Sequence, residues 1–92
     1  MSKNKIANLI IDAANDKILF KLIFKDKTYT NEHENSRKNF DKFSILLMKF
    51  LTKKHFSLEK VRNVFINQGP GKYTSIRTSM AIIKALQLVY GF

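Results

Sequence analysis

Cysteine is absent from this 92-residue chain. Disulfides, cysteine-ligated zinc and thiol nucleophiles are excluded together. Tryptophan is absent as well, and there are only one proline and three glycines. Long apolar runs are missing: Ile6 to Ile11, broken by Asn8, stops at Asp12. That is too short for a signal-peptide core followed by a small-residue cleavage site. No stretch approaches the roughly 20 apolar residues of a membrane span, so a soluble cytoplasmic protein is expected. Acidic residues are scarce, seven in all, and too widely spread to single out paired carboxylates or a Ser-His-Asp set. His33 and His55 lack metal-like spacing and read as surface residues.

What is present is apolar and basic. Hydrophobic residues make up 45%, with eight Phe and three Tyr. That is too apolar for a disordered tail, so a packed core is expected. The length supports one domain spanning 1–92 and excludes a two-lobed enzyme. A domain of this size buries roughly 60–65% of its unfolded surface and is stable by a narrow margin. A second chain covering part of it would help.

Seventeen Lys and Arg against seven Asp and Glu give a net charge of +10. Such a charge suggests nucleic acid. Yet only Arg37, Arg62 and Arg77 are arginines, and the other 14 of the 17 are lysines. Lys, Asn, Ile and Phe all have A/T-rich codons, so two sources stay open: a biased genome, or a selected basic surface. No arginine–aromatic cluster for RNA stacking is visible.

The pattern along the chain predicts β-β-β-α-β-α. Ile6 to Ile11 suits a strand buried on both faces. Lys17 to Lys25 (KILFKLIFK) is a second strand, and Asp26-Lys27 a tight turn. A third strand starts at Thr28-Tyr29-Thr30, with a polar stretch from Asn31 to Asn35. Ser36 is the expected N-cap of a helix running to about Lys54. Phe40, Phe43, Leu47, Phe50 and Leu51 form its main apolar stripe, and Ile45 and Met48 lie off it. Residues 55–62 connect to a short buried strand at Val64-Phe65-Ile66.

Gly69-Pro70-Gly71 must break regular structure. A second helix then runs from about Thr74 to Tyr90, with Gly91 as its C-terminal cap. Its polar Arg77, Lys84 and Gln87 share one narrow stripe. A helix apolar over most of its circumference needs cover on most sides, and one sheet face covers only about half.

The strand–GPGKYTS–helix junction is the sharpest local feature. Amides at the helix start, with Lys72, suggest an anion contact, and so does Asp12 at the end of the first strand. A structural turn allowing close helix–strand packing is the other reading. It is not a P-loop: Ile66 stands where that pattern needs glycine, and Tyr73 where it needs Ser or Thr.

The block VRNVFINQGPGKYTSIRTSMAIIKALQLVYG (Val61 to Gly91) resembles the TsaB/YeaZ family. That family is the non-catalytic partner in bacterial synthesis of threonylcarbamoyladenosine in tRNA. Gly69, Pro70, Gly71, Thr74 and Arg77 match its GPGSFTGVR-like segment, with Tyr73 for the usual Phe and Ser75 for a Gly. Later helix glycines are replaced by Ser79 and Ile83. NLIIDAAND is similar to the family's first strand; Asp12 matches and Ala13 does not. Family members have two actin-like lobes and about twice this length. The resemblance therefore implies a truncated N-terminal lobe, a partial actin-like (ribonuclease H-like) α/β fold. Its mixed sheet would carry two long helices, in order 3-2-1-4 with the fourth strand on the edge.

The resemblance further implies a scaffold, not an enzyme, whose two helices pack on a TsaD-like catalytic subunit or on a second copy. Ile45, Met48, Ser75, Thr78, Ser79, Ile82 and Leu86 would form that interface, and the lysines would extend a tRNA-binding surface. Related catalytic subunits hold a metal with two His where this chain has Asn35 and Asn39, so no metal site is carried over. A free-standing basic RNA-binding module and a self-associating remnant are the alternatives.

No cofactor is expected. Actin-like proteins hold nucleotide between two lobes, and one lobe is present. Calorimetric titration of the chain with ATP should show no binding at micromolar dissociation constants, about −8 kcal/mol.

Overall fold

A computed structural model of the chain describes residues 6–91. Three antiparallel strands come first: β1 (Ala7–Asp12), β2 (Lys17–Phe24) and β3 (Lys27–Glu34). Two helices follow, α1 (Arg37–Asp41) and α2 (Phe43–Lys53). A single 3-10 turn at Leu58–Lys60 leads into β4 (Val61–Ile66), and α3 (Tyr73–Tyr90) ends the described chain. The sheet order is β3-β2-β1-β4, with β4 parallel to β1 and on the edge. This is the expected mixed α/β lobe.

Period-two alternation assigns the faces. Leu9, Ile11, Ile18, Phe20 and Leu22 point to the helices and are fully buried. Opposite them across the β1–β4 register, Val64 pairs with Leu9 and Ile66 with Ile11. Phe43, Leu47, Phe50 and Leu51 of α2 complete the core, as their helical spacing predicts. Phe20 is its centre, 5.2 Å from Phe43 in an edge-on contact and 6.2 Å from Phe50 in a stacked one. Such pairs add about 0.5–1.5 kcal/mol beyond area burial.

Several boundaries differ from the sequence pattern. The β2–β3 turn is Lys25-Asp26, one residue early, with Lys25 at φ 57°. β3 runs on through Asn31 to Glu34, because pairing with β2 as far as Lys17 satisfies its backbone. Its alternation turns His33 inward, against Phe20 at 5.9 Å, with Nε2 buried and without a hydrogen-bond partner. His33 is therefore not a surface residue, whereas His55 is exposed.

The first helix is broken at Lys42, which leaves the helical region at φ −121°. Asn39 and Asp41 are weak helix formers, and the break stacks Phe40 on Phe43 at 5.7 Å. Ser36 is its N-cap as expected, accepting from the Asn39 amide at 3.2 Å. Gly91 caps α3 at φ 70°.

The segment between β4 and α3 packs directly on the β1–β2 turn. The Gly69–Pro70 bond is cis. The Asn67 amide continues the parallel ladder to the Ile11 carbonyl at 3.0 Å, and the Lys72 amide reaches the Ala14 carbonyl at 2.7 Å. Gly71 lies between these two bonds. A Cβ there would collide with the Ala14 carbonyl oxygen and stand 2.7 Å from Ala14 Cβ. Neither neighbour can yield, because both belong to the turn backbone or sit beside it. Gly71→Ala should therefore cost about 1–3 kcal/mol by overpacking, read as a lower urea midpoint at unchanged slope.

Candidate protein-binding site

The two helical segments lie on the same face of the sheet and leave a groove between them. At one end, the starts of α1 and α3 meet. Asn35 holds this end together. Its Nδ2 donates to the carbonyls of Ala13 (2.8 Å) and Asn15 (2.7 Å), and its Oδ1 accepts from the Ser75 hydroxyl (2.9 Å). One carboxamide thus joins the β1–β2 turn to α3, with three of its hydrogen-bonding positions filled. Asn39 Nδ2 adds a bond to the Glu34 carbonyl at 2.8 Å. The depression here is mainly polar, lined by Arg37, Asp41, Lys72, Thr74, Ser75 and Thr78 among others.

The other end is a different chemistry. Ser44, Ile45, Met48 and Thr52 of α2 face Leu86 and Tyr90 of α3 across a groove of about 480 Å³, with Lys49 and Lys53 on its rim. Ile45 is 57% exposed although apolar. Beyond the groove, Leu88 and Val89 are 86% and 75% exposed. Only Ile76, Ser79 and Ile83 of α3 are buried. The chain itself therefore covers one side of a helix that is apolar on most sides. Contiguous exposed apolar side chains of this kind mark interaction surfaces.

The residues expected at an interface divide between the two ends. Ile45, Met48 and Leu86 converge on the apolar groove, and Ile82 lies half-buried against the core. Ser75 and Thr78 line the polar end. Ser79 does not belong to the surface. It is fully buried, and its hydroxyl donates to the Ile76 carbonyl at 2.8 Å. Its small size serves packing of α3 onto the sheet layer, not approach by a partner.

The anion reading of the loop loses its donors. The Lys72 amide is taken by Ala14, and the Lys72 ammonium lies 3.4 Å from the Asp16 carboxylate, an exposed ion pair. Asp12 Oδ1 accepts the Ala14 amide at 3.0 Å in a local turn. It shares its depression with Asp16 and Glu32, an acidic neighbourhood. Thr74 and Arg77 stand outward on α3, where Arg77 reaches the Tyr73 hydroxyl at 3.3 Å. Among the described residues, no group of three or more His, Asp or Glu is placed to hold a metal. No described helix is long and apolar enough to cross a membrane.

Asn35 and Tyr90 escaped the sequence reading. Tyr90 was legible, since it falls four residues after Leu86 on the same helical stripe. Asn35 had no local signal: its partners lie 20, 22 and 40 residues away.

The fold that carries this groove has solved counterparts. It is similar to YeaZ from Pseudomonas aeruginosa. The two superpose at a TM-score of 0.80 over 94% of this chain and 40% of that one, at 15% sequence identity. A second Pseudomonas aeruginosa structure, described as an uncharacterized protein with similarity to peptidase YEAZ, matches at 0.81, with the same coverage and identity. This chain thus spans about two-fifths of the structures it resembles. No family model and no curated protein matches the sequence. At this identity the likeness establishes a shared fold: the four-stranded mixed sheet and its helices correspond to part of YeaZ.

The burial pattern separates core from surface within α3. Ser79→Trp should abolish the cooperative thermal transition or lower stability by about 3 kcal/mol or more, by overfilling a closed site. Met48→Asp, at a half-exposed groove position, should leave circular dichroism and the transition close to those of the parent.

Proposed function

We propose that the chain is a non-catalytic scaffold subunit, of the TsaB/YeaZ type, in tRNA threonylcarbamoyladenosine synthesis. It would act in the cytoplasm by binding a TsaD-like catalytic subunit through the α2–α3 surface. The observation that carries this reading is the coincidence of two features: a YeaZ-like fold over 94% of the chain, and an open apolar groove between its helices. A protein surface suits such a groove, because association removes Ile45, Met48, Leu86 and Tyr90 from water together.

A binding role, not a chemical one, accords with how the polar groups are used. The Asp12 carboxylate is engaged with the Ala14 amide, and His33 Nε2 is enclosed against the core. The Asn35 carboxamide holds three groups of the fold. Each serves the architecture. The catalytic partner would supply the reacting groups, and basic residues of this chain would add to the complex's contact with tRNA.

Co-purification of the chain with a TsaD-like subunit from the same genome tests the reading. Stoichiometric capture is expected. Met48→Asp should reduce it by at least a hundredfold, since an unpaired carboxylate in a closed interface costs about 3–5 kcal/mol. Failure of the parent chain to capture that subunit, at concentrations where it is folded, would reject the proposal.

A further inference from the structure

The net charge is not spread evenly over the fold. Residues 37–54, which hold α1 and α2, contain Arg37, Lys38, Lys42, Lys49, Lys53 and Lys54 against Asp41 alone. Residues 73–90, which form α3, contain Arg77 and Lys84 and no acidic residue. The helical layer therefore has eight basic side chains and one acidic, a net +7 of the chain's +10. The strands, loops and termini hold the other nine basic residues and six of the seven acidic ones, a near balance. The apolar groove lies in the charged layer, and the only ionisable side chains lining it are Lys49 and Lys53.

These two observations constrain what can sit there. A second copy placing its own helical layer against this one would bring +7 against +7, and like charges across an interface are a means of excluding a partner. A nucleic acid would meet the lysines but would leave Ile45, Met48, Leu86 and Tyr90 without apolar contact. The groove asks for apolar anchors and its rim asks for carboxylates, at separations that one helix supplies on adjacent faces.

We infer that the α2–α3 groove receives an amphipathic helix of a different chain, with apolar anchors along one stripe and acidic residues flanking it, and that it rejects a second copy of this chain. The inference rests on the reading of the helical layer as the partner-binding face, and adds the chemistry of the partner.

The test uses the purified full chain and two synthetic peptides of about 18 residues, long enough to hold a helix in water. Both have the same Leu/Ile stripe; one is flanked by Glu and the other by Lys. Fluorescence anisotropy should show the Glu-flanked peptide binding at least about tenfold tighter at low salt, with the preference shrinking as sodium chloride screens it. The double variant Lys49→Glu/Lys53→Glu changes only exposed side chains and should reverse the preference while remaining folded. Sedimentation of the free chain should show a monomer at low salt.

Equal affinity for the two peptides would overturn the inference, as would a dimer at low salt through the helices. So would displacement of the Glu-flanked peptide by a single-stranded RNA oligonucleotide. Undiminished capture of a TsaD-like subunit by the double variant would also reject it, while leaving the scaffold proposal intact. Peptide selectivity without capture of that subunit would support the groove chemistry and reject the scaffold proposal.

Discussion

The close approach of Gly71 to Ala14 is the constraint on which the rest of the molecule depends. It seats the segment after the edge strand on the β1–β2 turn, with the Lys72 amide on the Ala14 carbonyl at 2.7 Å. That contact sets where α3 begins, and so which of its sides meets the sheet. Asn35 then fixes the other helical segment to the same turn, through bonds to Ala13, Asn15 and Ser75. Both helices thus take their positions from four residues, Ala13 to Asp16. Close packing transmits such a constraint along the elements it joins.

With both helices anchored at one end, the groove at the other follows from side-chain size and burial. Phe43, Leu47, Phe50 and Leu51 draw α2 onto Phe20 and its neighbours, while Ile76, Ser79 and Ile83 do the same for α3. The buried serine at position 79 lets α3 sit low on this layer. What remains above the sheet is the pair of outward stripes, Ile45 with Met48 and Leu86 with Tyr90. The remaining sheet face is less apolar. Ile10, Leu19 and Ile23 alternate there with Asn8, Asp12 and Lys21, and Phe65 on the edge strand is 54% exposed.

The element order, the sheet faces and the core of α2 were readable because each rests on a period that the sequence displays directly. The apolar excess of α3 was readable for the same reason. What escaped depends on long-range pairing. β3 extends to Glu34 because β2 lies beside it, although Asn31 to Glu34 has little strand character of its own. His33 is drawn inward by the same register. Ser79 looked like a surface residue because helical spacing assigns a side, but only packing decides which side is covered. Asn35 could not be found from sequence, since three separate segments must meet before its carboxamide has anything to join.

The placement of charge also bears on why the chain is so basic. A genome rich in A and T favours lysine at any tolerant position, and aspartate and glutamate codons are not thereby forbidden in one layer of a fold. Uniform drift would leave acidic residues among the helices in proportion to exposed sites. Here six of seven lie outside residues 37–54 and 73–90, while eight basic residues lie within them. An asymmetry that follows the architecture, and coincides with an uncovered apolar groove, is the pattern of a surface under selection for a particular partner. Drift accounts for lysine being used in place of arginine. The location of the lysines, around Ile45 and Met48 and away from the acidic depression at Asp12, Asp16 and Glu32, follows from what the helical layer binds.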